Sequence, residues 1–459
     1  MITPPMLGGS MTLCFVMILL IPLALAGMAL VNAGLGRSHS ASHSMLSSLC
    51  VISVAAIAYM VCGHAFAGAA GVPGRQLLLG GKPWSVLGAS PWFLGGLARE
   101  FNPGASQGAM ITPLVALFGM LGAALAALVP LSAGADRWKL GASCASTALL
   151  AGLIYPIFFH WAWGGGWLAQ LGANYGLGQG FVDCGGAGAI QVIAGLSALS
   201  ITWVLGPRRA KYPAVGVVAA IPAHNIVLVL LGCLLLLPGW FGLNAGGAML
   251  FNGASIAGLP LVALNTLLCG AGSALTAVVF TKVRFSRPDA SLTANGLVAG
   301  LAASSAGCAY VSPFFSLLIG VGAGLLVIFT VELLETRLGI DDPAGAVSVH
   351  AVAGVWGLLS LGLLGRLPGT AAGIAAATAG TAYGGTAYVS GGQMLAQVVG
   401  VATLLGLMLP ASYFLNRLID RFYPYRSDED GERLGMDLLE LGAGAYPEFL
   451  IHGDEYTQR

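Results

Sequence analysis

The chain carries about eleven apolar runs of roughly 20 residues each, and these runs constrain its fold more than any other feature. A helix of that length crosses a hydrocarbon core about 30 Å thick. Because backbone polar groups find no water there, a spanning segment must satisfy its own hydrogen bonds, as a helix does. Charged residues make up only 8% of the chain, against about 25% in soluble domains, which excludes an ordinary soluble domain. The predicted spans are residues 12–33, 45–66, 111–131, 141–163, 187–205, 222–243, 253–279, 291–309, 313–333, 347–364 and 395–415.

The distribution of Lys and Arg between alternate loops, here called joints, predicts the orientation of the spans. One set of joints is rich in basic residues and the other is poor, so the first set is predicted to face the cytoplasm. An odd number of spans then places the amino terminus outside and the tail after Arg417 inside a plasma (cell) membrane. No Lys or Arg precedes the first apolar run, which favours a retained helix over a secretion signal. The rich set holds Arg37, Arg137, Lys139, Arg208, Arg209, Lys211, Lys282, Arg284, Arg287 and Arg337, and the poor set holds Arg75, Lys82, Arg99 and Arg366.

Composition also argues against several classes of function. The formal net charge is +1 and the basic residues are spread over short joints, so no nucleic-acid partner is expected. The 8 cysteines lie in or beside the apolar runs without Cys-x-x-Cys spacing, which gives no support to a disulfide framework or a zinc site. The sequence combines no nucleophile with a base and an orienting group, and it forms no metal-ligand set. We therefore expect neither an enzyme nor a bound cofactor or metal.

Two segments of the chain are versions of each other. In each, an acidic residue is followed eight residues later by a hydrogen-bonding side chain, which is an expensive arrangement in hydrocarbon. One copy begins the fifth span and the other begins the tenth, so the two helices enter the membrane from opposite sides. Eight residues rise about 12 Å, which brings Gln191 and His350 near the middle, where they can face each other. The matched sets are Asp183, Gly186, Ala187, Gln191, Ala194, Gly195 and Asp342, Gly345, Ala346, His350, Ala353, Gly354.

A second pair of similar segments, here called the second echo, links the first and sixth spans; the first echo is the pair that begins the fifth and tenth spans. Together the two echoes predict an all-α integral membrane protein of eleven transmembrane helices, with two inverted five-helix repeats and an eleventh helix packed outside them. We expect repeats at about 10–206 and 214–366 and the eleventh helix at about 395–415, within a membrane domain of residues 1–416. Residues 417–459 form a charged cytoplasmic tail, and the joints at 71–106 and 368–392 are expected to cap the outer face. The second echo pairs Gly27, Asn32, Ala33, Gly34 with Gly239, Asn244, Ala245, Gly246.

Several separate motifs occur in a characteristic order along the chain. They are HWAWGGGWL at 160–168, AHN at 223–225, GWFGLNAG at 239–246, and Asp341-Asp342 leading to Val349-His350. In this order they resemble the ammonium transporter family (Amt/Mep/Rh). The resemblance implies an eleven-helix protomer, a homotrimer with one pore in each protomer, and conduction of ammonium or ammonia across the lipid bilayer.

The resemblance assigns an outer site. The family's recruitment position falls on Trp163, whose indole face can hold a cation, although a tryptophan of the interfacial belt is the alternative. The two aromatic gate positions map to Met110 and Leu243, and the serine that gives the cation an acceptor maps to Gly247. Two rings and a hydroxyl are therefore replaced in this chain. Phe118 lies about 12 Å deeper than Met110 along its span, which makes it a weaker gate candidate, and it is expected instead to pack the core.

The resemblance also assigns the middle of the pore. Asp183 corresponds to the family aspartate at the head of the fifth helix, which shapes the site through backbone hydrogen bonds; an ordinary N-cap is a compatible alternative. The family's paired pore histidines map to Gln191 and His350. Because an amide does not titrate usefully, a direct proton relay between two imidazoles is not available. The alternatives are a satisfied core histidine at position 350 and an interhelical hydrogen-bonding residue at position 191.

Other polar residues are expected to be structural or solvated. His160 and His224 should hydrogen-bond the backbone within their packing motifs, and His39 and His43 should be solvated in their joint. In the tail, the sequence at 435–446 resembles the family's regulatory carboxyl terminus, with Gly435-Met-Asp437 as its first part. That resemblance implies a tail docked under the protomers and, as in many members, a PII signalling protein as partner. A solvated tail is the alternative.

Three functions stay open. The leading one is a transporter or channel for ammonium or ammonia, with recruitment at Trp163 and passage past Met110, Leu243, Gln191 and His350. The altered gate and Gln191 also fit a sensor or regulatory binding protein that holds ammonium and conducts little. Leu243 and Gly247 leave room for a different solute, such as a neutral gas or a small amine.

Overall fold

The computed structural model describes residues 8–68, 74–97, 111–213, 218–367 and 391–446. Within these ranges, ten helices are long and apolar enough to cross a membrane, and a further helix at Ala290–Gly307 completes the predicted set. The predicted all-α membrane fold of eleven helices is confirmed. We call the face where the first helix begins the outer face and the opposite one the inner face. The helices are α1 (Gly8–Leu35), α2 (Ser38–Ala67), α3 (Ile111–Ala133), α4 (Leu140–Ala162), α5 (Ala187–Leu205), α6 (Ile226–Asn252), α7 (Ile256–Phe285), α8 (Ala290–Gly307), α9 (Pro313–Thr336), α10 (Val347–Leu364) and α11 (Gly391–Phe422).

The sixth helix differs most from its predicted span of 222–243. Asn225 sets its start, because the side-chain oxygen accepts the amide of Leu228 at 3.1 Å as an N-cap. Gly253 ends the helix in the left-handed conformation, with φ at 67°, which a residue without Cβ adopts freely. The longer helix places Phe251 in its last turn at the outer face.

The joint between α2 and α3 contains a β-hairpin that the sequence analysis did not predict. β1 (Arg75–Leu79) pairs antiparallel with β2 (Lys82–Leu87) through a two-residue glycine turn at 80–81. Trp84 of β2 stacks on Trp167 of the loop after α4, with ring centroids 4.9 Å apart. The hairpin therefore covers part of the outer face.

The histidines of the two packing motifs hydrogen-bond within the fold. Nδ1 of His160 lies 3.1 Å from the carbonyl oxygen of Ala67, and its Nε2 lies 2.9 Å from Oγ of Ser85. Nδ1 of His224 lies 3.3 Å from the carbonyl oxygen of Gly36. Both histidines thus join separate segments of the chain, in keeping with the structural role expected of them.

The two repeats meet where α1 packs against α6. A Cβ atom at Gly27 would lie 2.6 Å from the carbonyl oxygen of Gly232, and one at Gly239 would lie 2.2 Å from the amide nitrogen of Ala24. A side chain at either position would collide with the backbone of the facing helix. Gly27 and Gly239 are counterparts in the second echo, so the recurrence reflects one close helix approach.

The repeats meet again where α5 crosses α10. A Cβ atom at Gly195 would lie 2.3 Å from the amide nitrogen of Ala351, and one at Gly354 would lie 2.8 Å from the carbonyl oxygen of Ala187. Gly195 and Gly354 occupy the same position in the two copies of the repeat. Each helix therefore presents its glycine to the other, as an inverted pair requires.

The eleventh helix lies outside the repeats, against α4 and α5. Oγ of Ser412 lies 3.4 Å from Oγ of Ser197, and Oδ1 of Asn416 accepts the hydroxyl of Ser146 at 2.7 Å. The helix continues to Phe422. The proposed domain boundary after residue 416 stays a prediction.

The tail folds back onto the inner face. The carboxylate of Asp437 accepts the amides of Ser42 and His43 at 3.2 and 2.7 Å, at the start of α2. Glu440 lies 2.7 Å from Nε2 of His43 and accepts the amide of Leu140 at 2.9 Å. The expectation that His43 is solvated is wrong, because the tail covers it and leaves it 7% exposed. These contacts favour the docked tail over the solvated one.

The close crossing of α5 and α10 predicts a specific intolerance at Gly195. Gly195→Val should lower the free energy of unfolding by about 1–3 kcal/mol, because its side chain meets the backbone of Ala351. Thermal unfolding of the purified protein in detergent measures this change. Gly406→Val is the control, since a Cβ atom there has nothing within 4 Å. Equal melting temperatures for the two variants would contradict the close approach.

Candidate pore and its two mouths

Gln191 on α5 and His350 on α10 touch at the crossing of the two helices. Oε1 of Gln191 lies 2.7 Å from Nδ1 of His350, and the residues are 0% and 3% exposed. Each side chain lies in a π-helical first stretch, Ala187–Val192 in α5 and Val347–Val352 in α10. Such stretches are rare and are frequent at functional sites. The same local distortion therefore places both members of the pair.

The oxygen of Gln191 determines which nitrogen of His350 donates. A carbonyl oxygen can only accept, so Nδ1 of His350 donates, and in the neutral imidazole Nε2 then keeps a lone pair. The amide nitrogen of Gln191 is buried and has no partner among the described residues. The crossing therefore offers N–H donors from Gln191 beside an acceptor from His350, and both groups are uncharged in this pairing.

Asp183 holds the head of α5. Its Oδ1 accepts the amides of Gly186 and Ala187 at 3.0 and 2.8 Å, and its Oδ2 accepts those of Gly188 and Ala189 at 2.8 and 3.0 Å. These are the leading N–H groups of a helix, which have no partner inside the helix itself. The side chain therefore caps the start of α5 from three residues before its N-cap residue, Gly186, and so fixes the backbone just before position 191.

The loop before α5 is anchored by groups that the sequence analysis did not single out. Gln397 on α11 accepts the amide of Val182 and donates to the carbonyl oxygen of the same residue, both at 2.9 Å. The carbonyl oxygen of Ser305 at the end of α8 accepts the amide of Gly185 at 2.6 Å. The sequence could have indicated this anchor, because Gln393 and Gln397 share one face of an apolar helix, where a side-chain amide needs a protein partner.

Four aromatic rings gather at the outer end of the crossing. Nε1 of Trp163 donates to the carbonyl oxygen of Asp183 at 2.7 Å. Phe251 stacks on Trp163 with centroids 4.5 Å apart and planes at 9°, while Phe118 and Phe159 meet Trp163 edge-on at 5.8 and 5.0 Å. One face of the indole is therefore covered. A cation must use the other face or displace Phe251.

Two aromatic contacts of the outer site were not predicted from the sequence. Phe118 is buried, as expected, and its ring also contacts Trp163. Its depth relative to Met110 stays a prediction, because Met110 lies outside the described residues. Phe251 was not considered, because the sixth span was predicted to end at residue 243 and left it in a joint.

The remaining predicted residues lie on α6. Leu243 is 0% exposed, eight residues and about 12 Å before Phe251. A Cβ atom at Gly247 would lie 2.3 Å from the carbonyl oxygen of Cys184, in the loop before α5. A serine at position 247 therefore requires that loop to move. The roles of Leu243 and Gly247 in a pore stay predictions.

The inner end of the crossing opens into a cavity of about 300 Å³. Asp342 caps α10 with Oδ2, which accepts the amide of Val347 at 2.7 Å. Its Oδ1 and Oγ of Ser348 are buried without a partner among the described residues, and both residues line the cavity. Burial raises the pKa of Asp342 to about 6, although the amides of Val347 and Ala346 oppose part of that rise.

Buried ion pairs fix the loop that leads to α10. Arg208 binds the carboxylate of Asp341 through Nε and Nη2, each at 2.9 Å, and Arg137 donates to its carbonyl oxygen at 3.1 Å. Burial alone would raise the pKa of Asp341, but the hydrogen bonds and charges of the two arginines lower it to about 2. This ionised cluster anchors the inner loop, as Gln397 anchors the outer one.

These features define a multi-pass membrane protein of two inverted five-helix repeats, with a buried amide–imidazole pair between two capped helix heads. The chain matches the sequence profile of the Ammonium Transporter Family over residues 11–446. It is 32% identical to "Ammonium transporter Amt2" of Archaeoglobus fulgidus, over 93% of this chain and 85% of that protein. The chain therefore belongs to the ammonium transporter family.

Other relatives and solved structures agree with this assignment. The "Ammonium transporter" of Bacillus subtilis is 27% identical over 96% of this chain and 99% of its own length. A solved structure named "Sensor Amt Protein" has a TM-score of 0.79 and 26% identity, covering 94% of this chain and 98% of that one. Mep2 of Candida albicans, with a TM-score of 0.72 and 24% identity over 96% of this chain and 90% of its own, supports the fold.

The four hydrogen bonds of Asp183 predict a graded response to substitution. Asp183→Ala leaves four amides unpaired and should lower the free energy of unfolding by about 2 kcal/mol, whereas Asp183→Asn keeps a capping oxygen and should lose less. Thermal unfolding in detergent separates the two variants. An alanine variant as stable as the asparagine variant would contradict the capping role.

Proposed function

We propose that this chain transports ammonium or ammonia across the membrane, one molecule at a time, through the crossing of α5 and α10. The observation that carries the proposal is the buried contact between Gln191 and His350, in a chain of a family whose relatives are named ammonium transporters. The proposed route begins at Trp163, passes Gly247 and Leu243, and crosses the membrane past the hydrogen-bonded pair of Gln191 and His350. Met110 is proposed to line the route before Leu243.

Physical chemistry gives each part of this route a task. A cation is attracted to the indole face of Trp163, and Asp183 favours positive charge nearby. An ion in an apolar interior is costly, so the cation gives its proton to water at the outer mouth before the crossing. The uncharged molecule can accept a hydrogen bond from the free amide of Gln191 and donate one to Nε2 of His350. Because the amide does not relay protons, the proton stays on the side where it was released.

The surroundings of the route belong to the same proposal. We propose a plasma membrane location with the amino terminus outside and the tail in the cytoplasm, on the distribution of Lys and Arg. A homotrimer and a PII-type partner follow from the family resemblance. The contact of Glu440 with His43 supports a tail placed where a cytoplasmic partner could reach it.

A second function, that of an ammonium sensor, has one specific observation behind it. The solved structure with a TM-score of 0.79 is named "Sensor Amt Protein". Gln191 gives a physical motive, because an amide that binds ammonia without relaying protons favours holding over passage. The two functions differ in flux and can be separated experimentally.

Flux in liposomes tests the proposed transport directly. An ammonium pulse on vesicles that contain the purified protein should produce a pH change or a charge displacement above that of empty vesicles. Trp163→Leu should raise the half-saturating concentration about threefold to tenfold, from the loss of a cation–π contact. Trp203→Leu is the control, since Trp203 is 47% exposed on the surface of α5. Absence of any signal from the native protein would refute transport.

The variant Gln191→His separates transport from sensing. If the native chain is a transporter, the variant should change the flux by less than about tenfold, because a route already exists. If it is a sensor, an imidazole at position 191 should create or greatly raise a flux that the native chain lacks. Initial rates of methylammonium uptake in the same vesicles measure the difference, with His350→Ala as the variant that removes the remaining imidazole.

A further inference from the structure

The aspartates of the two repeat copies differ in how many of their carboxylate oxygens accept hydrogen bonds. At the outer head, both carboxylate oxygens of Asp183 are occupied by four backbone amides. At the inner head, Asp342 uses Oδ2 for the amide of Val347, and its Oδ1 is buried without a partner among the described residues. A buried carboxylate oxygen without a donor is energetically costly, so a ligand that donates a hydrogen bond to it would bind favourably there.

A second unpartnered group belongs to the same cavity lining. Ser348 is 0% exposed, yet its Oγ has no hydrogen-bond partner among the described residues. Asp342 and Ser348 line the same cavity of about 300 Å³. Ser348 also lies two residues before His350 on α10, so the cavity adjoins the inner end of the crossing.

The other charged groups of the cavity are already engaged. Arg208 is bound to Asp341, and Lys211 is paired with Glu335. Asp289 caps α8 by accepting the amide of Leu292 at 2.8 Å. Among the described residues that line the cavity, the buried side-chain oxygens without a partner are Oδ1 of Asp342 and Oγ of Ser348. Their chemistry fits a small cation that carries several N–H donors.

We infer that Asp342 and Ser348 form an inner cation site of this chain, which binds ammonium or a primary alkylammonium ion. The inference rests on the proposed function, because it gives the transported molecule a place to take up a proton from water at the inner face and be held before release. The site has no equivalent at the outer head, where Asp183 has no oxygen to spare. Transport should therefore respond differently from the two sides.

Sided transport measurements test the site. Methylammonium uptake is measured in inside-out and right-side-out membrane vesicles that contain the full chain. Asp342→Asn should raise the half-saturating concentration about tenfold when substrate is presented at the inner face, and by less than about twofold at the outer face. The variant should stay folded, because asparagine caps a helix about as well as aspartate. Ser348→Ala should raise the inner value about threefold.

A matched control lies in the same cavity. Asp289→Asn removes one negative charge from it and keeps a capping oxygen, but touches neither unpartnered atom. It should leave the inner half-saturating concentration within about twofold of the native value. An equal rise for Asp289→Asn and Asp342→Asn, or an unchanged inner value for Asp342→Asn and Ser348→Ala, would overturn the site.

A binding measurement separates this inference from the proposed transport. Ammonium chloride should raise the melting temperature of the purified native protein above that in equal choline chloride, because a ligand of the folded state stabilises it. Asp342→Asn should lose at least half of that rise. A native protein that shows this shift without flux would refute transport and keep the site, whereas an undiminished shift in Asp342→Asn refutes the site.

Discussion

The hydrogen bond between Oε1 of Gln191 and Nδ1 of His350 is the contact on which the rest of the bundle converges. A polar pair inside an apolar bundle is tolerable only when its members meet in good geometry, since a miss of 1 Å leaves both unsatisfied. Gly195 and Gly354 let the two helices approach, and the π-helical stretches direct the side chains inward. Residues of both repeats are therefore needed to form this one contact.

The loops at the outer and inner ends of the crossing are held by different kinds of interaction. Neutral amide hydrogen bonds from α11 fix the outer loop, whereas the buried pair of Arg208 and Asp341 fixes the inner one. The next residue, Arg209, donates its amide to Glu432 of the tail at 2.7 Å, and Arg426 binds the same carboxylate at 2.8 Å. Two consecutive arginines therefore join the tail to the head of α10. A displacement of the tail would reach the inner mouth before the outer one.

Periodic and repeated features of the sequence predicted the fold well, because apolar length and the echo of Asp183 in Asp342 are local properties. Features that depend on distant partners were not predictable. His43 reads as a solvated joint residue until the tail covers it, and Phe251 reads as part of a joint until α6 is seen to continue past residue 243. The contacts of Trp163 with Phe118 and Phe251 likewise need two other helices, α3 and α6, to be placed first.

If the proposed function holds, the order of charged and uncharged groups along the route follows from having Gln in place of His at position 191. An imidazole could carry a proton through the crossing, but an amide cannot, so charge must be handled at the ends. The groups suited to a cation do lie at the ends: the indole of Trp163 at one, and Oδ1 of Asp342 with Oγ of Ser348 at the other. Between them the crossing offers uncharged donors and an acceptor. A route with that order of groups favours a species that is charged in water and neutral in the middle, which is the chemistry of a weak amine base.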